Sequence, residues 1–560
     1  MSGCPRARSK KPSPHAGATV SWAFMSGRLL RATASWSLAL TMGIVMVASC
    51  SLSNISADDC ASDTDCAAAF GLGSACLDGF CSDPQGCETG HECRRRYGGG
   101  ACVEGFCVDR LPDDPNGNCV VVEPDDLSGT LLVGEEAPVV LGGIFRLGDT
   151  SEPARADAAK LALREINEVG GLNGSRPLAM VICNNDGPDA SSTVDERRVL
   201  TQQSIDHLAG TLGVPFVVGP NRSSDSIAAV NHLINRGYPS VSISPSATSP
   251  ALTNQPDRLD PDDALGLFWR TCPSDILQGQ LLADQVVGQL PVPDPAVSQV
   301  SVMYISDTYG EGLANEFIER WGAPNADLHP FDENVDVAAL VDSVVLDAPD
   351  ALLIIVVEAQ RALDILTAVE ARPALADVPI YLTDGSKDEQ VLLSADVPAA
   401  VQQVIFTRVV GTAPAGPQTA SSDVFFANYS QEFGVSPEGQ SFTANTYDAL
   451  YIGAAGVVFA SAGGANTYDG DYDGRNVADG LSRLVGGAAV PVGSLDWSSV
   501  KSNLTSGDMT LDIEGISGPL DFDVATGEAV APIEVWQPSN DAAACGNAPP
   551  CFAQVLAAIP

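Results

Sequence analysis

Lysine is scarce in this sequence. It occurs five times in 560 residues, and Lys and Arg together number 29 against 71 Asp and Glu. The formal net charge of −42 repels phosphate backbones and excludes nucleic acid as a partner. Histidine also occurs only five times, and the sequence holds no G-x-S-x-G, no H-E-x-x-H and no Gly-Lys pair of a phosphate-binding loop. We therefore predict that the protein is not an enzyme and has neither a cofactor nor a resident metal.

The apolar run near the N-terminus, at 38–47, is too short to cross a membrane. It follows Arg28 and Arg31 and ends in small residues directly before Cys50, an order typical of an export signal. The residues up to Cys50 resemble a bacterial lipobox, which implies cleavage before Cys50 and a lipid on its thiol. An ordinary secretory signal is the alternative. Met25 begins a signal of ordinary length and is a possible true start.

The chain holds 15 cysteines, and eight of them form a repeat of two similar units. The units contain Cys60, Cys66, Cys76 and Cys81, then Cys87, Cys93, Cys102 and Cys107. A unit of about 27 residues cannot build a core by itself and needs covalent or metal support. Zinc is the rival interpretation, but no C-x2-C pair occurs and His91 is the only histidine in the region.

Exported chains meet oxidising conditions, so we predict disulfides within each unit, with three possible pairings per unit left open. Cys545 and Cys551 are expected to form a local bridge. Five cysteines lie between Cys50 and the C-terminus outside the repeats, and because five is odd, one thiol can stay free. The protein is therefore expected in the cell envelope, lipid-anchored and facing the periplasm or the exterior.

From Val139 onward, apolar runs of strand length alternate with helical stretches, and the alternation restarts after Pro273. Such alternation predicts parallel sheets with helical crossovers, and its two runs predict two α/β lobes. Short strands are expected at 404–409 and 519–524, among others. The expected domains are a signal at 1–49, a tether at 50–59, a disulfide-rich region at 60–107, a linker at 108–137, a main domain at 138–538 and a loop-like tail at 539–560.

Several phrases of the main domain, taken together and in order, resemble a known family. They lie at 165–174, 218–224, 243–253, 270–279, 306–314, 447–451 and 518–523. The chain resembles the leucine/isoleucine/valine-binding proteins, within the type I periplasmic binding proteins. That resemblance implies two lobes joined by three hinge crossings, closing on a ligand. The first lobe is expected at about 138–273 and 410–515, and the second at about 274–409 and 516–538.

The resemblance also implies ligand contacts, and the chemistry of the residues agrees with it. Hydroxyls and N–H groups at helix starts suit a carboxylate, and acidic side chains suit an ammonium group. Asp275 and Asp384 are the acidic candidates, and Asp384 replaces a longer family Glu. Helix capping is the alternative for Ser223 and Asp275. The full set of expected contacts is Arg222, Ser223, Ser246, Ala247, Thr248, Asp275, Tyr309 and Asp384.

Two departures from the family make leucine a doubtful ligand. The side-chain pocket carries Asn221 and Arg222 where branched-chain binders are apolar, and an arginine suits a polar or acidic group. The family aromatic after the predicted strand at 351–357 is replaced near Glu358.

The acidic loop at 469–474 begins like a calcium-binding loop. However, Gly480 occupies the position where the bidentate Glu is expected, so a solvated acidic loop without calcium is favoured.

The leading functional prediction is capture of a small amino-acid-like ligand for an ABC importer, with its permease as partner. The alternative is a tethered receptor whose closed state is read by a partner protein, because the same closure can serve both.

Overall fold

The computed structural model describes residues 60–559, except for 83, 85, 135, 188–191, 288, 291–296, 417–419, 439, 463–471, 507–509 and 547–548. The predicted lipidation site, Cys50, lies outside the described residues, as do Asp469 and Asp471 of the acidic loop. Asp473, the loop's last acidic residue, caps the helix Gly474–Leu481 by accepting hydrogen bonds from two backbone N–H groups. Within the described part of the chain, no helix is long and apolar enough to span a bilayer.

The first lobe is built on a sheet of eight strands, parallel in its centre and antiparallel at both edges. In spatial order the strands are Asp521–Asp523, Glu528–Val530, Phe268–Arg270, Val241–Ser244, Phe216–Val218, Val139–Phe145, Leu178–Asn184 and Cys119–Glu123. The central strand Val139–Phe145 is an almost continuous apolar run, as expected for a parallel strand covered on both faces.

Helices cover both faces of this sheet. They are Glu152–Glu168, Val194–Ile205, Ser223–Arg236, Ala420–Phe433, Thr443–Ser461, Gly474–Leu481 and Trp497–Thr505. A small parallel pair, Ala488–Pro491 with Leu511–Glu514, lies beside them. Thr443–Ser461 is buried along nearly its whole length, which is why its sequence shows no polar face.

The second lobe has a sheet of seven strands, of which the first five are parallel. In spatial order they are Ala326–Phe331, Val300–Ile305, Ala351–Ile355, Ile380–Leu382, Val409–Pro414, Ile533–Ser539 and Cys551–Ile559. Its helices are Asp275–Leu281, Thr308–Trp321, Val337–Asp347, Ala359–Glu370, Glu389–Leu392 and Ala399–Arg408.

The chain passes between the two sheets three times: after Phe268–Arg270, after Val409–Pro414, and between Glu528–Val530 and Ile533–Ser539. The predicted fold class, two α/β lobes joined by three crossings, is therefore confirmed. Because parallel strands end at the same edge, their carboxyl ends carry the loops that face the cleft between the lobes.

One predicted strand and one predicted lobe boundary are wrong. The strand expected at 404–409 is the end of the helix Ala399–Arg408, and the strand begins only at Val409. Val401, Val404 and Ile405 are buried at helical spacing. Because Val and Ile are also typical of strands, the short run that they form was misread as a strand. The strands in 516–530, expected in the second lobe, pair in the first sheet, because the third crossing comes only after Val530.

The expected linker and tail each contribute a strand. Cys119–Glu123 extends the first sheet, and a Cys119–Cys183 disulfide fastens it to its neighbour Leu178–Asn184. Cys551–Ile559 extends the second sheet beside Ile533–Ser539. Both pairings place the new strand antiparallel at a sheet edge, so neither stretch is plain loop.

The cysteine repeats form two disulfide-bonded units with the same pairing, first to third and second to fourth. The bonds are Cys60–Cys76, Cys66–Cys81, Cys87–Cys102 and Cys93–Cys107. Each unit is one helix and one hairpin: Asp63–Phe70 with Cys76–Leu77 and Phe80–Cys81, then Gly90–Tyr97 with Ala101–Val103 and Phe106–Val108. Cys545 is bonded to Cys551, and among the described cysteines only Cys272 is free, buried at the first crossing.

Candidate functional site: the interlobe cleft

A small cavity lies between the lobes at the carboxyl ends of their strands. Five of the expected contacts line it: Arg222, Ser223, Ser246, Tyr309 and Asp384. It offers about 30 Å³ to the centres of water molecules, which is room for roughly two waters. The structure is therefore a closed arrangement, and an amino acid needs the lobes to part before it enters.

The first lobe contributes two hydroxyl groups, one at the start of a helix and one in the loop beside it. Ser223 begins the helix Ser223–Arg236, which four residues separate from the end of the strand Phe216–Val218. Its Oγ accepts a hydrogen bond of 3.2 Å from the backbone N–H of Ser249. Ser246 donates its hydroxyl hydrogen to the carbonyl of Asn221 over 2.9 Å. These groups lie where the helix dipole favours a negative charge, so this wall suits a ligand carboxylate.

The second lobe contributes an acidic group held by neighbours. Oδ1 of Asp384 accepts hydrogen bonds from the Tyr309 hydroxyl over 2.8 Å and from Nε2 of Gln278 over 3.0 Å. Burial raises the pKa of Asp384, although these hydrogen bonds favour its charged form. A cationic group that enters the cavity would stabilise the charged form of this desolvated carboxylate strongly. This wall suits a ligand ammonium.

Three expected contacts do not line the cavity in this closed arrangement. Thr248 and Asp275 bond to each other, and the carbonyl of Ala247 accepts a hydrogen bond of 2.8 Å from buried Arg270. Burial, and then the charge of Asp384, raise the pKa of Asp275 well above its usual range. These residues therefore support the cleft floor at the first crossing.

Four charged side chains form ion pairs that the sequence did not predict, and we call them the charge cluster: Arg146, Asp149, Arg222 and Glu358. Nη1 of Arg146 lies 2.7 Å from Oε1 of Glu358 and 3.3 Å from Oδ2 of Asp149. Nη2 of Arg222 lies 3.1 Å from Oδ2 of Asp149 and contacts the same Glu358 oxygen. The Arg222 charge, which we expected to be offered to a ligand, is therefore already taken by carboxylates.

Arg146 and Asp149 follow the carboxyl end of Val139–Phe145, which is the signal that could have found them. Beside them, Glu152 accepts hydrogen bonds from the backbone N–H of Arg146 and from Nδ2 of Asn221, over 2.7 and 2.9 Å. Burial, and then the charge of Asp149, raise the pKa of Glu152 to about 7.

A second cross-lobe pair stands beside the charge cluster. Nη2 of Arg197 in the first lobe lies 2.7 Å from Oε1 of Glu333 in the second lobe. The Arg197 side chain is fully buried, and its Nε lies 3.8 Å from Oδ2 of Asp225. Salt bridges thus join the lobes along the side of the cleft that carries Arg222.

The fold and cleft agree with a match to known proteins. The family described as the receptor family ligand binding region matches residues 154–538. The chain belongs to this family. The chain is 31% identical over 158 residues to the Leu/Ile/Val-binding protein homolog 1 of Brucella abortus, a match that covers 28% of the chain and 36% of that relative. The chain thus spans about a third of the length of this relative.

Two further matches cover more of the chain. The chemotactic signal transduction system substrate-binding protein BasB of Halobacterium salinarum is 24% identical over 394 residues, 69% of this chain and 84% of that protein. The structure of the branched-chain amino acid transporter substrate binding protein LivJ of Streptococcus pneumoniae, solved with isoleucine, shares the fold. Its TM-score is 0.51 at 22% identity, covering 71% of this chain and 96% of LivJ.

These proteins are binding proteins by name. The resemblance to the Leu/Ile/Val-binding proteins that the sequence shows is therefore confirmed, and the matched relatives are named as binding proteins, not as enzymes. Outside the matched residues lie the two disulfide-bonded units and the C-terminal strand Cys551–Ile559.

Proposed function

We propose that the protein captures a small amino-acid-like ligand between its lobes and hands it to an ABC importer. The observation that supports this proposal is the pairing of opposite walls. One lobe presents the hydroxyl of Ser223 at a helix start and that of Ser246 in the neighbouring loop, and the other lobe presents the carboxyl of Asp384. A zwitterion satisfies both walls at once, and only contacts to both lobes can favour the closed state.

In this proposal the ligand carboxylate meets Ser223, Ser246 and the N–H groups of their loops, and the ammonium meets Asp384. Tyr309 positions Asp384, while Thr248 and Asp275 fix the first crossing. Export and a lipid on Cys50 would hold the protein at the membrane, within reach of a permease. Cys50→Ala should release a soluble, unlipidated protein, and a wild-type protein found unmodified at Cys50 would contradict the anchor.

Calorimetry across a panel of amino acids tests the ligand class. A charge-assisted hydrogen bond contributes about 1.5–3 kcal/mol, so Asp384→Ala should weaken binding by about 10- to 100-fold. Asp396→Ala is the matched control, because Asp396 is exposed in the same lobe and its side chain has no hydrogen bond among the described residues. If no amino acid binds the wild type, the proposed ligand class is wrong.

A sensing role is the second candidate, supported by the match to BasB, a protein named for chemotactic signal transduction, over 84% of its length. In that role the closed form would be read by a partner protein instead of a permease. Reconstitution with a cognate permease and ATPase distinguishes the two, since transport of the bound ligand supports import, whereas capture of a signalling partner only by the ligand-bound form supports sensing.

A further inference from the structure

Glu358 links the two lobes through a single oxygen atom. It directly precedes the helix Ala359–Glu370 of the second lobe, and its Oε1 accepts hydrogen bonds from Arg146 and Arg222 of the first lobe, at 2.7 Å for Arg146. The Glu358 side chain is 35% exposed, whereas those of Arg146 and Arg222 are 8% and 6% exposed. An acidic side chain of one lobe is thus inserted between two nearly buried guanidinium groups of the other.

The two arginines already have carboxylates in their own lobe. Asp149 lies 3.3 Å from Arg146 and 3.1 Å from Arg222, and Asp186 lies 3.0 Å from Arg146. With Glu358, three carboxylates stand within hydrogen-bonding distance of two guanidinium groups. The negative charges around the two arginines therefore exceed their positive charge by one before any ligand arrives.

The charge cluster also divides the space between the lobes. On one side is the small cavity with Asp384 and Arg222; on the other is a cavity of about 200 Å³ that Arg146 and Glu358 help to line. Val357 lines both cavities. A ligand whose ammonium meets Asp384 would therefore place the far end of its side chain against the ion pairs of Glu358 with Arg146 and Arg222.

One donor of Arg222 is still available. Its Nη1 is buried and has no hydrogen-bond acceptor among the described residues, with Oε1 of Glu333 3.7 Å away. A buried donor without an acceptor is costly, and a neutral ligand oxygen, such as an amide carbonyl, would satisfy it. A ligand carboxylate would satisfy it too, but would meet Asp149, Glu152 and Glu358 nearby.

We infer that Glu358 holds the place of an anionic ligand group between Arg146 and Arg222, and so selects ligands whose side chain is neutral and accepts hydrogen bonds over acidic ones. This inference rests on the proposed function, since it assumes an amino-acid-like ligand in the cleft. An acidic side chain must displace Glu358 or add a further negative charge around the two arginines. An amide side chain of the same size has no such penalty, and once the lobes have parted its carbonyl oxygen can accept a hydrogen bond from Nη1 of Arg222.

The test compares L-glutamine with L-glutamate, which have nearly the same shape, in wild type and in Glu358→Gln. Wild type should bind glutamine more tightly. Glu358→Gln removes one carboxylate from the two guanidinium groups with little change in volume. The affinity for glutamate should then rise by about tenfold or more relative to that for glutamine, which corresponds to one charge-assisted hydrogen bond.

Two variants serve as controls. Glu370→Gln removes the same charge at the other end of the same helix, where Glu370 is exposed and forms no ion pair with a described residue, and it should leave the affinity ratio unchanged. Adding Arg222→Gln to Glu358→Gln should abolish the gain for glutamate. Thermal unfolding of each variant verifies that it is folded.

The experiment distinguishes failure of this inference from failure of the proposed function. If amino acids bind the wild type but Glu358→Gln gains no affinity for glutamate relative to glutamine, the inference alone is overturned. Wild-type protein that prefers glutamate to glutamine overturns it as well. If no amino acid binds either protein, the ligand class of the proposed function is rejected, and the inference is rejected with it.

Discussion

The hydroxyl of Thr248 donates a hydrogen bond of 2.9 Å to Oδ2 of Asp275, and the backbone N–H of Asp275 donates to the carbonyl of Thr248 over 2.9 Å. Thr248 belongs to the loop after Val241–Ser244 in the first lobe, whereas Asp275 begins the helix Asp275–Leu281 beyond the first crossing. This two-way contact fixes the start of the second lobe against the cleft loop of the first. Because each residue is the hydrogen-bond partner of the other, Thr248 and Asp275 hold the loop and the helix start together in the closed form.

Asp275→Ala should lower the free energy of unfolding by about 1–3 kcal/mol, because it leaves the buried Thr248 hydroxyl without its acceptor. Asp275→Asn should lower the free energy of unfolding by less, since an amide oxygen can still accept that hydrogen bond. Denaturant unfolding of the two variants measures the difference. An Asp275→Ala protein as stable as wild type, with strongly weakened ligand binding, would instead place Asp275 in contact with the ligand.

The Cys119–Cys183 disulfide closes a loop of 64 residues, whereas Cys545–Cys551 closes one of six. In the chain-entropy description, a longer loop gives greater stabilisation, with about 4 kcal/mol expected for the first and about 2 kcal/mol for the second. Replacing Cys119 and Cys183 by Ala should therefore cost about 2 kcal/mol more than replacing Cys545 and Cys551. Equal losses in chemical denaturation would contradict this ranking.

The alternation of apolar runs and helical stretches was sufficient to predict two α/β lobes, because each strand lies next to the helix that covers it. The cleft residues Ser223, Ser246 and Tyr309 were predictable for a related reason, since they follow strand ends and lie in phrases that match the family. Asp384 also follows a strand end, that of Ile380–Leu382, and takes the place of a family Glu. The local sequence pattern and the family resemblance were thus enough to predict most of the fold and much of the cleft lining.

The parts that were missed depend on partners far away in the sequence. Arg146 and Glu358 are 212 positions apart, and nothing near either residue indicates that they meet. The strand Cys119–Glu123 lies in a stretch rich in Asp, Pro and Gly, and it is a strand because Leu178–Asn184 offers it a free edge. Pairings of this kind are decided by the assembled sheets and the closed lobes.

Glu152 should give the protein a pH-dependent stability. Its pKa is raised from 4.5 to about 7 in the folded protein, by burial first and then by Asp149. The folded state therefore holds this proton more tightly than the unfolded chain does. The stabilisation of the folded state by this proton is fully present below pH 4.5 and is lost as the pH rises through about 7.

Glu152→Gln should flatten that part of the stability profile, because the amide does not titrate. The measurement is the free energy of unfolding by denaturant at several pH values across this window. Glu370→Gln, an exposed change in the other lobe, should retain the wild-type slope. A Glu152→Gln profile parallel to that of wild type would show that other groups cause the pH dependence.

The C-terminal strand Cys551–Ile559 lies beyond the residues matched by the family, which end at 538, yet it covers the second lobe. The ring of Phe552 packs 4.5 Å from that of Trp536, measured between centroids, and its backbone N–H donates to Glu389 over 2.8 Å. Trp536 is fully buried, so removing the strand would expose both a large aromatic side chain and the edge of Ile533–Ser539.

Phe552→Ala should therefore destabilise the protein by about 1–3 kcal/mol, less than the loss for a fully buried phenylalanine, because Phe552 is only partly buried. Val555→Ala, on the same strand but 38% exposed, is the matched control and should cost under about 0.5 kcal/mol. Tryptophan fluorescence during denaturation reports the change, since Trp536 loses its packing partner. If both substitutions cost the same, the strand is held by its backbone pairing alone and the contact with Trp536 contributes nothing.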